Sequence, residues 1–357
     1  MKINKRIIVI GALIFVAVLL FFLLKDVLLY QQVVDGSNEL AYSVNEDGKT
    51  CTVTGIGTYK YDTLYLNKPI DGYTITDIGN SAFGNSNIKF VYMPTTLKTI
   101  GTRAFANCTS LIAVYDLDKC ISLESIGDYA FERCLNMNNI SLPNFLTSIG
   151  KFTFSKCYDL KKVNMPENLI HIGDYAFQGC ISLENIVLPQ GVKTIGKSAF
   201  ESCKTLFEIS IPASVEDIGI MAFAGCSQLK KIVVDDENSR YSSINGHLYN
   251  KNGKVFIKAA PVSISRNFII SASVTKIESY AFRDLPFIES ITIPNNIKVL
   301  GSWIFYGSPK LNTINYEGTI KEWISIIKNP DWNEGSANFT IYCSNGQISK
   351  DGTVTYN

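Results

Sequence analysis

The chain has 357 residues, with 33 Lys+Arg against 32 Asp+Glu. Four of those cations lie at or before Lys25, which leaves 29 against 32 beyond it and no long run of one sign. That balance argues against a nucleic-acid partner, which needs a basic patch to neutralise phosphates. A hydrophobic content of 46%, with 11% aromatic, excludes a chain too polar to bury a core.

Lys2, Lys5 and Arg6 precede an apolar run over residues 7–24, closed by Lys25 and Asp26. Eighteen apolar residues of helix would span about 27 Å, close to the hydrocarbon thickness of a bilayer. A cleaved signal has a shorter core and a small-x-small site, and no clean one is present. Residues 1–25 therefore read as a membrane anchor with a cytoplasmic N-terminus, with a cleaved signal as the alternative. Both readings export the rest of the chain. Residues 26–39 read as a linker.

Beyond it the chain repeats. The pattern I-G-x-x-A-F-x-x-C-x-x-L-x-x-I-x-I/L-P opens at Ile78, Ile100, Ile126, Ile149, Ile172, Ile195, Ile218, Ile277 and Leu300. The steps from Ile126 to Ile218 are each 23 residues, a period that signals stacked coils. Within one period, Leu160, Val163 and Met165 face inward. The Val163/Met165 alternation is that of a short strand, which Pro166 ends by lacking an amide hydrogen. Stacking aligns these strands as one parallel sheet. The Gly of each I-G pair predicts a backbone conformation that other residues resist. The Phe of each A-F pair predicts an internal aromatic spine, and its Ala a short helical turn on the opposite side.

The ends lack the pattern, as end coils that need capping do. Residues 40–77, with a turn at Asn45-Glu46-Asp47-Gly48, read as an N-terminal hairpin cap. Residues 319–357, with Trp323, Trp332 and a helix near 321–328, read as a C-terminal cap. Between them lies the solenoid, residues 78–318. The long step from Ile218 to Ile277 carries an insertion near residues 235–272. Its Asn245-Gly246 and Asn252-Gly253 pairs mark hairpin turns.

These repeats, the inserted Tyr241-Ser242-Ser243-Ile244-Asn245-Gly246-His247-Leu248-Tyr249 segment and the ending Tyr316-Glu317-Gly318-Thr319, Trp323, Trp332 and Ile341-Tyr342-Cys343 resemble BspA-like leucine-rich-repeat proteins of bacterial and protist cell surfaces. The resemblance runs from about Leu40 to the C-terminus. It implies a β-rich α/β solenoid with a parallel sheet on one face, about nine coils, an inserted hairpin and terminal caps. It also implies export and adhesion to matrix proteins, cells or surfaces, without a shared ligand.

Six of the nine cysteines follow the repeat Phe by three residues: Cys108, Cys134, Cys157, Cys180, Cys203 and Cys226. A straight row of thiols cannot converge tetrahedrally on a metal, so they read as small buried residues. Cys51, Cys120 and Cys343 lie off that row and their disulfide state stays open. The two histidines, His171 and His247, belong to no catalytic pattern. Accordingly no enzyme activity, cofactor or metal is expected.

What remains is surface. The residues flanking the inward position of each strand point outward and build rows across coils. The candidate ligand-binding residues on those rows are Phe90, Tyr92, Tyr115, Asn139, Lys162, Asn164, Asn185, Glu208 and Lys231. The expected partner is an extracellular protein or cell-surface ligand, with the membrane contacted through the N-terminal segment. The alternative is a structural spacer without a specific ligand. A cap that buried Phe90, Tyr92 and Tyr115 would favour the spacer.

Overall fold

The computed structural model describes residues 39–357; the residues read as an anchor lie outside them. Among the described residues, no helix is long and apolar enough to cross a membrane. The chain winds as a β-solenoid of about 13 turns, its regular structure nearly all short strands joined by turns. The count exceeds nine because rungs without the I-G-x-x-A-F signature also join the stack. Thr50–Gly55 and Thr63–Tyr65 do so before the repeats, and Val255–Lys258, Asn267–Ile269 and Thr340–Cys343 at the insertion and the end.

Each repeat coil contributes two short strands, so there are two parallel ladders where one was expected. The front ladder contains Phe90–Tyr92, Ala113–Tyr115, Lys162–Asn164 and Glu208–Ile211. The side ladder is built from the residues that open each repeat, as in Ser148–Ile149, His171–Ile172 and Thr194–Ile195. Most inward positions of both ladders are buried, including Val163, Ile172 and Ile195, while Val114 and Ile218 are half-buried.

The A-F segment closes the coil, and here the expected helical turn is absent. Two residues four apart take left-handed backbone in nearly every copy: Arg103 and Asn107, Tyr129 and Arg133, Ser198 and Ser202. Left-handed residues cannot continue a right-handed helix. Instead the segment donates three amide hydrogens to the next coil. Tyr129, Phe131 and Arg133 donate to the carbonyls of Lys151, Thr153 and Ser155 at 2.8, 2.9 and 2.8 Å. The only α-helix among the described residues is Ile320–Ser325, started by a capping box between Thr319 and Glu322.

The repeat glycines are needed for space. Gly101, Gly127, Gly173, Gly196 and Gly219 do not have positive φ. A Cβ on Gly196 would meet the Asp174 nitrogen and the Gly173 carbonyl carbon at 2.5 Å, both backbone atoms of the preceding coil. Ile277 is followed by Glu278 instead, because the segment before it is the inserted hairpin and not a repeat coil.

The phenylalanines stack as expected, with centroids 5.1 to 5.9 Å apart from Phe83 through Phe223. A second stack runs Phe256–Phe282–Phe305, its first ring supplied by the insertion. The cysteines have a shared task beyond filling space. Cys134, Cys157 and Cys180 each direct Sγ to the carbonyl of a spine phenylalanine in the preceding coil, Phe105, Phe131 and Phe154, at 3.1 to 3.3 Å. Ser308 makes the same bond to Phe282 at 2.9 Å, so the position selects a small hydrogen-bond donor. Cys120 reaches the Pro94 carbonyl at 3.2 Å from the three-residue 3₁₀ turn Leu117–Lys119. All nine cysteines are free.

Two stability predictions follow from this packing. Gly196→Ala should cost about 1–3 kcal/mol through overpacking, whereas Gly191→Ala, whose Cβ meets only the Leu169 carbonyl at 3.4 Å, should stay within about 0.5 kcal/mol of wild type. Phe177→Ala should cost about 3–5 kcal/mol, and Cys180→Ser much less because a hydroxyl fills the same role at Ser308. Denaturant melts of the four variants check both pairs; a near-neutral Gly196→Ala would show that the coils can move apart.

Candidate interaction surface

The front ladder carries the predicted rows, and it is not continuous. Hydrogen-bonded blocks join residues 63–65, 90–92 and 113–115, then 139–141 with 162–164, then 185–186, 208–211 and 231–234. Two open grooves lie at the breaks. One, of about 310 Å³, is lined by Tyr115, Asn138, Asn139 and Ser141. The other, of about 570 Å³, is lined by Lys161, Lys162, Asn164, Glu184, Asn185 and Val187.

The N-terminal segment extends the aromatic row and leaves it accessible. Thr63–Tyr65 pairs in parallel with Phe90–Tyr92 and brings Tyr65 into register with Tyr92. Tyr65, Tyr92 and Tyr115 stack with centroids 4.8 and 4.7 Å apart. Phe90 sits beside Tyr115 at 6.4 Å. Phe90 and Tyr92 are half-buried and Tyr115 is 41% exposed. The next residue in the row is Ser141, too small to cover the outer tyrosine face. Tyr65 escaped the sequence reading, although Thr63-Leu64-Tyr65 has the same alternation as Phe90-Val91-Tyr92.

Further along, the row turns polar. Asn139, Lys162, Asn164, Asn185 and Lys231 are exposed and Glu208 is half-buried. Asn164 Nδ2 donates to Ser141 Oγ at 2.8 Å, and Lys231 pairs with Glu208 at 2.9 Å. Such an exposed pair contributes at most about 1 kcal/mol. Val187, 81% exposed, is an uncovered apolar side chain at the larger groove. The structure thus brings the nine predicted residues onto one face but divides them between an aromatic end and a polar middle.

Six copies of the BspA type leucine-rich-repeat region match this chain, over residues 50–120, 124–252 and 262–326. The chain belongs to the BspA-type leucine-rich-repeat family. Among solved structures, it is similar to a leucine-rich cell surface protein from Faecalibacterium prausnitzii, at 25% identity and a TM-score of 0.57, covering 77% of this chain and 74% of that one. A leucine-rich repeat protein from Bacteroides ovatus is 25% identical with a TM-score of 0.51, covering 78% and 70%. The pneumococcal vaccine antigen PcpA shares the fold at 18% identity and a TM-score of 0.51, covering 79% and 81%. No curated protein matches the sequence.

The two histidines of this BspA-type chain differ in setting. His171 is exposed on the side ladder and its Nδ1 lies 2.9 Å from Thr194 Oγ1. His247 is 2% exposed, packs its ring 5.3 Å from Phe268, and its Nδ1 accepts the Ala260 amide hydrogen. Burial pushes its pKa down to about 4 from 6.5. Between those values the unfolded chain binds the extra proton, so stability falls as pH drops from about 6.5 towards 4. Replacing His247 with Leu should flatten that slope by up to about 1.4 kcal/mol per pH unit. Denaturant unfolding of both proteins at several pH values in this window checks it; parallel slopes would show that His247 is protonated in the fold.

Proposed function

We propose that this protein is exported, held at the membrane by residues 1–25, and binds a protein or cell-surface ligand across its front ladder. The observation that carries the reading is the Tyr65–Tyr92–Tyr115 stack, which ends on an open ring face at a groove. Aromatic side chains offer large, rigid contact area and dominate many protein interfaces. The polar residues Asn139, Lys162, Asn164, Asn185, Glu208 and Lys231 supply hydrogen bonds and charge beyond that anchor. The glycine, phenylalanine and cysteine positions are committed to packing, so the outward rows are where coils can differ without loss of the fold. The described cell-surface setting of the F. prausnitzii neighbour supports the same reading.

A pull-down of the exported part against matrix proteins and neighbouring cells supplies the ligand. Tyr92→Ala with Tyr115→Ala should then weaken binding more than about tenfold, or about 1.4 kcal/mol, with the circular dichroism spectrum unchanged. His171→Ala with Thr194→Ala, a pair on the side ladder, should leave affinity near wild type. Equal losses from both pairs would move the site off the front ladder. Sequencing the N-terminus of the protein from cells tests the anchor, because a new terminus between residues 25 and 35 would show cleavage.

A further inference from the structure

The stack is interrupted between the coil opened by Ile218 and the coil opened by Ile277. In the coil before the interruption, Ser198, Phe200 and Ser202 donate their amide hydrogens to the carbonyls of Ile220, Ala222 and Ala224, at 3.0, 2.8 and 2.7 Å. The equivalent donors one coil later are Met221, Phe223 and Gly225. The chain then enters the antiparallel hairpins Tyr241–Ile244, His247–Asn250 and Val255–Lys258, which bring no A-F segment to receive them. None of the three amides finds an acceptor among the described residues. Phe223 is buried, and a buried amide without an acceptor costs about 1–3 kcal/mol. One amide of this edge is already satisfied by a side chain, since Ile218 donates to the Tyr241 hydroxyl at 2.9 Å.

A cavity of about 270 Å³ fills the space where the missing segment would lie. Met221, Ala222 and Phe223 line one side, and Lys258, Glu278, Ser279 and Tyr280 the other, with the Glu278 carboxylate neutralised by Lys276 at 2.6 Å. Apolar contact comes from Ile220, Leu248 and Ile257. Lys258 is 6% exposed. Its ammonium donates to the carbonyls of Tyr280 and Arg283 across long distances, 3.4 and 3.3 Å, and forms no ion pair among the described residues. Burial of that unpaired charge pushes its pKa down to about 8. The volume is just under the usual range of small-ligand pockets, about 300–1,000 Å³, so the guest is small.

We propose that this gap is a binding site for a short peptide segment bearing a carboxylate. Its main-chain carbonyls accept from the Met221 and Phe223 amides in place of the absent coil, and its carboxylate pairs with Lys258. In all the regular coils the acceptor at these amides is another polypeptide segment, which is why a peptide fits the donor row. The carboxylate is either a chain terminus or an acidic side chain, since both offer the same oxygens to the ammonium. The site lies on the A-F side of the coil, away from the front ladder, so it does not depend on the binding proposed there.

The test uses the full-length protein in detergent and three blocked dipeptides. N-acetyl-Ala-Ala carries a terminal carboxylate, N-acetyl-Ala-Asp-amide a side-chain carboxylate, and N-acetyl-Ala-Ala-amide none. Hydrogen–deuterium exchange of residues 219–226 is read by mass spectrometry. At least one carboxylate peptide should slow exchange there by more than tenfold, and which of the two does so identifies the source of the charge. The neutral peptide should have little effect. Lys258→Met, which keeps the length of the side chain and removes its charge, should abolish the protection while still unfolding cooperatively. The comparison among peptides on wild-type protein stands without that variant. Failure of every peptide to slow exchange would mean that water alone fills the gap. Equal protection by the neutral peptide, or protection unchanged in Lys258→Met, would equally overturn the proposal.

Discussion

A coil in this protein satisfies most of its extended backbone by sharing it with the coils on either side. Front strands, side strands and A-F segments all direct amide hydrogens along the stack, and only the tight turns, such as Cys134 to Phe131, close within a coil. The exchange works only at contact distance, and the repeat glycines set that distance. A methyl group on Gly219 would lie 2.4 Å from the Lys197 nitrogen. The same approach brings the phenylalanine rings within 6 Å of each other and each cysteine thiol within reach of the carbonyl behind it. Spine, thiol row and ladders are therefore one constraint seen on three sides of the coil.

The interruption at the insertion shows what happens when the constraint is released. Glu278 occupies the glycine position, Leu285 replaces the cysteine, and the phenylalanine stack restarts at Phe256. The hydrophobic interior divides at the same place into two clusters. Backbone bonds such as Ile232 to Gly246 and Val262 to Leu229 still cross on the front side, and on the A-F side Arg283 spans the gap to pair with Glu201 at 3.2 Å.

Much of this was legible in the sequence, because a residue type that recurs at a fixed offset reports a shared environment. The inward leucines and isoleucines, the phenylalanine spine and the buried thiols were all visible that way. Two physical reasons were not. The A-F segment looks helical in composition, but its conformation is set by hydrogen bonds to the next coil, which force left-handed backbone on ordinary residues such as Arg103 and Lys156. Gly196 looks like a turn glycine, but its role depends on an atom 22 residues earlier, Asp174 N, and no local pattern encodes that distance. On the front face the sequence found the rows but missed Tyr65 and the two grooves, since the breaks between strand blocks arise from how neighbouring coils splay.

The thiol row has a consequence for how the folded molecule meets an oxidant. Burial raises the pKa of Cys134, Cys180, Cys203 and Cys226 well above the ordinary thiol value. Exchange and oxidation proceed through the thiolate, which burial disfavours at these four positions in the folded stack. Adjacent coils are joined by repeated backbone hydrogen bonds, and no thiol of the row is cross-linked. An oxidant that reaches the folded solenoid therefore meets the half-buried Cys343 before it meets the row, whose thiols sit sealed between coils.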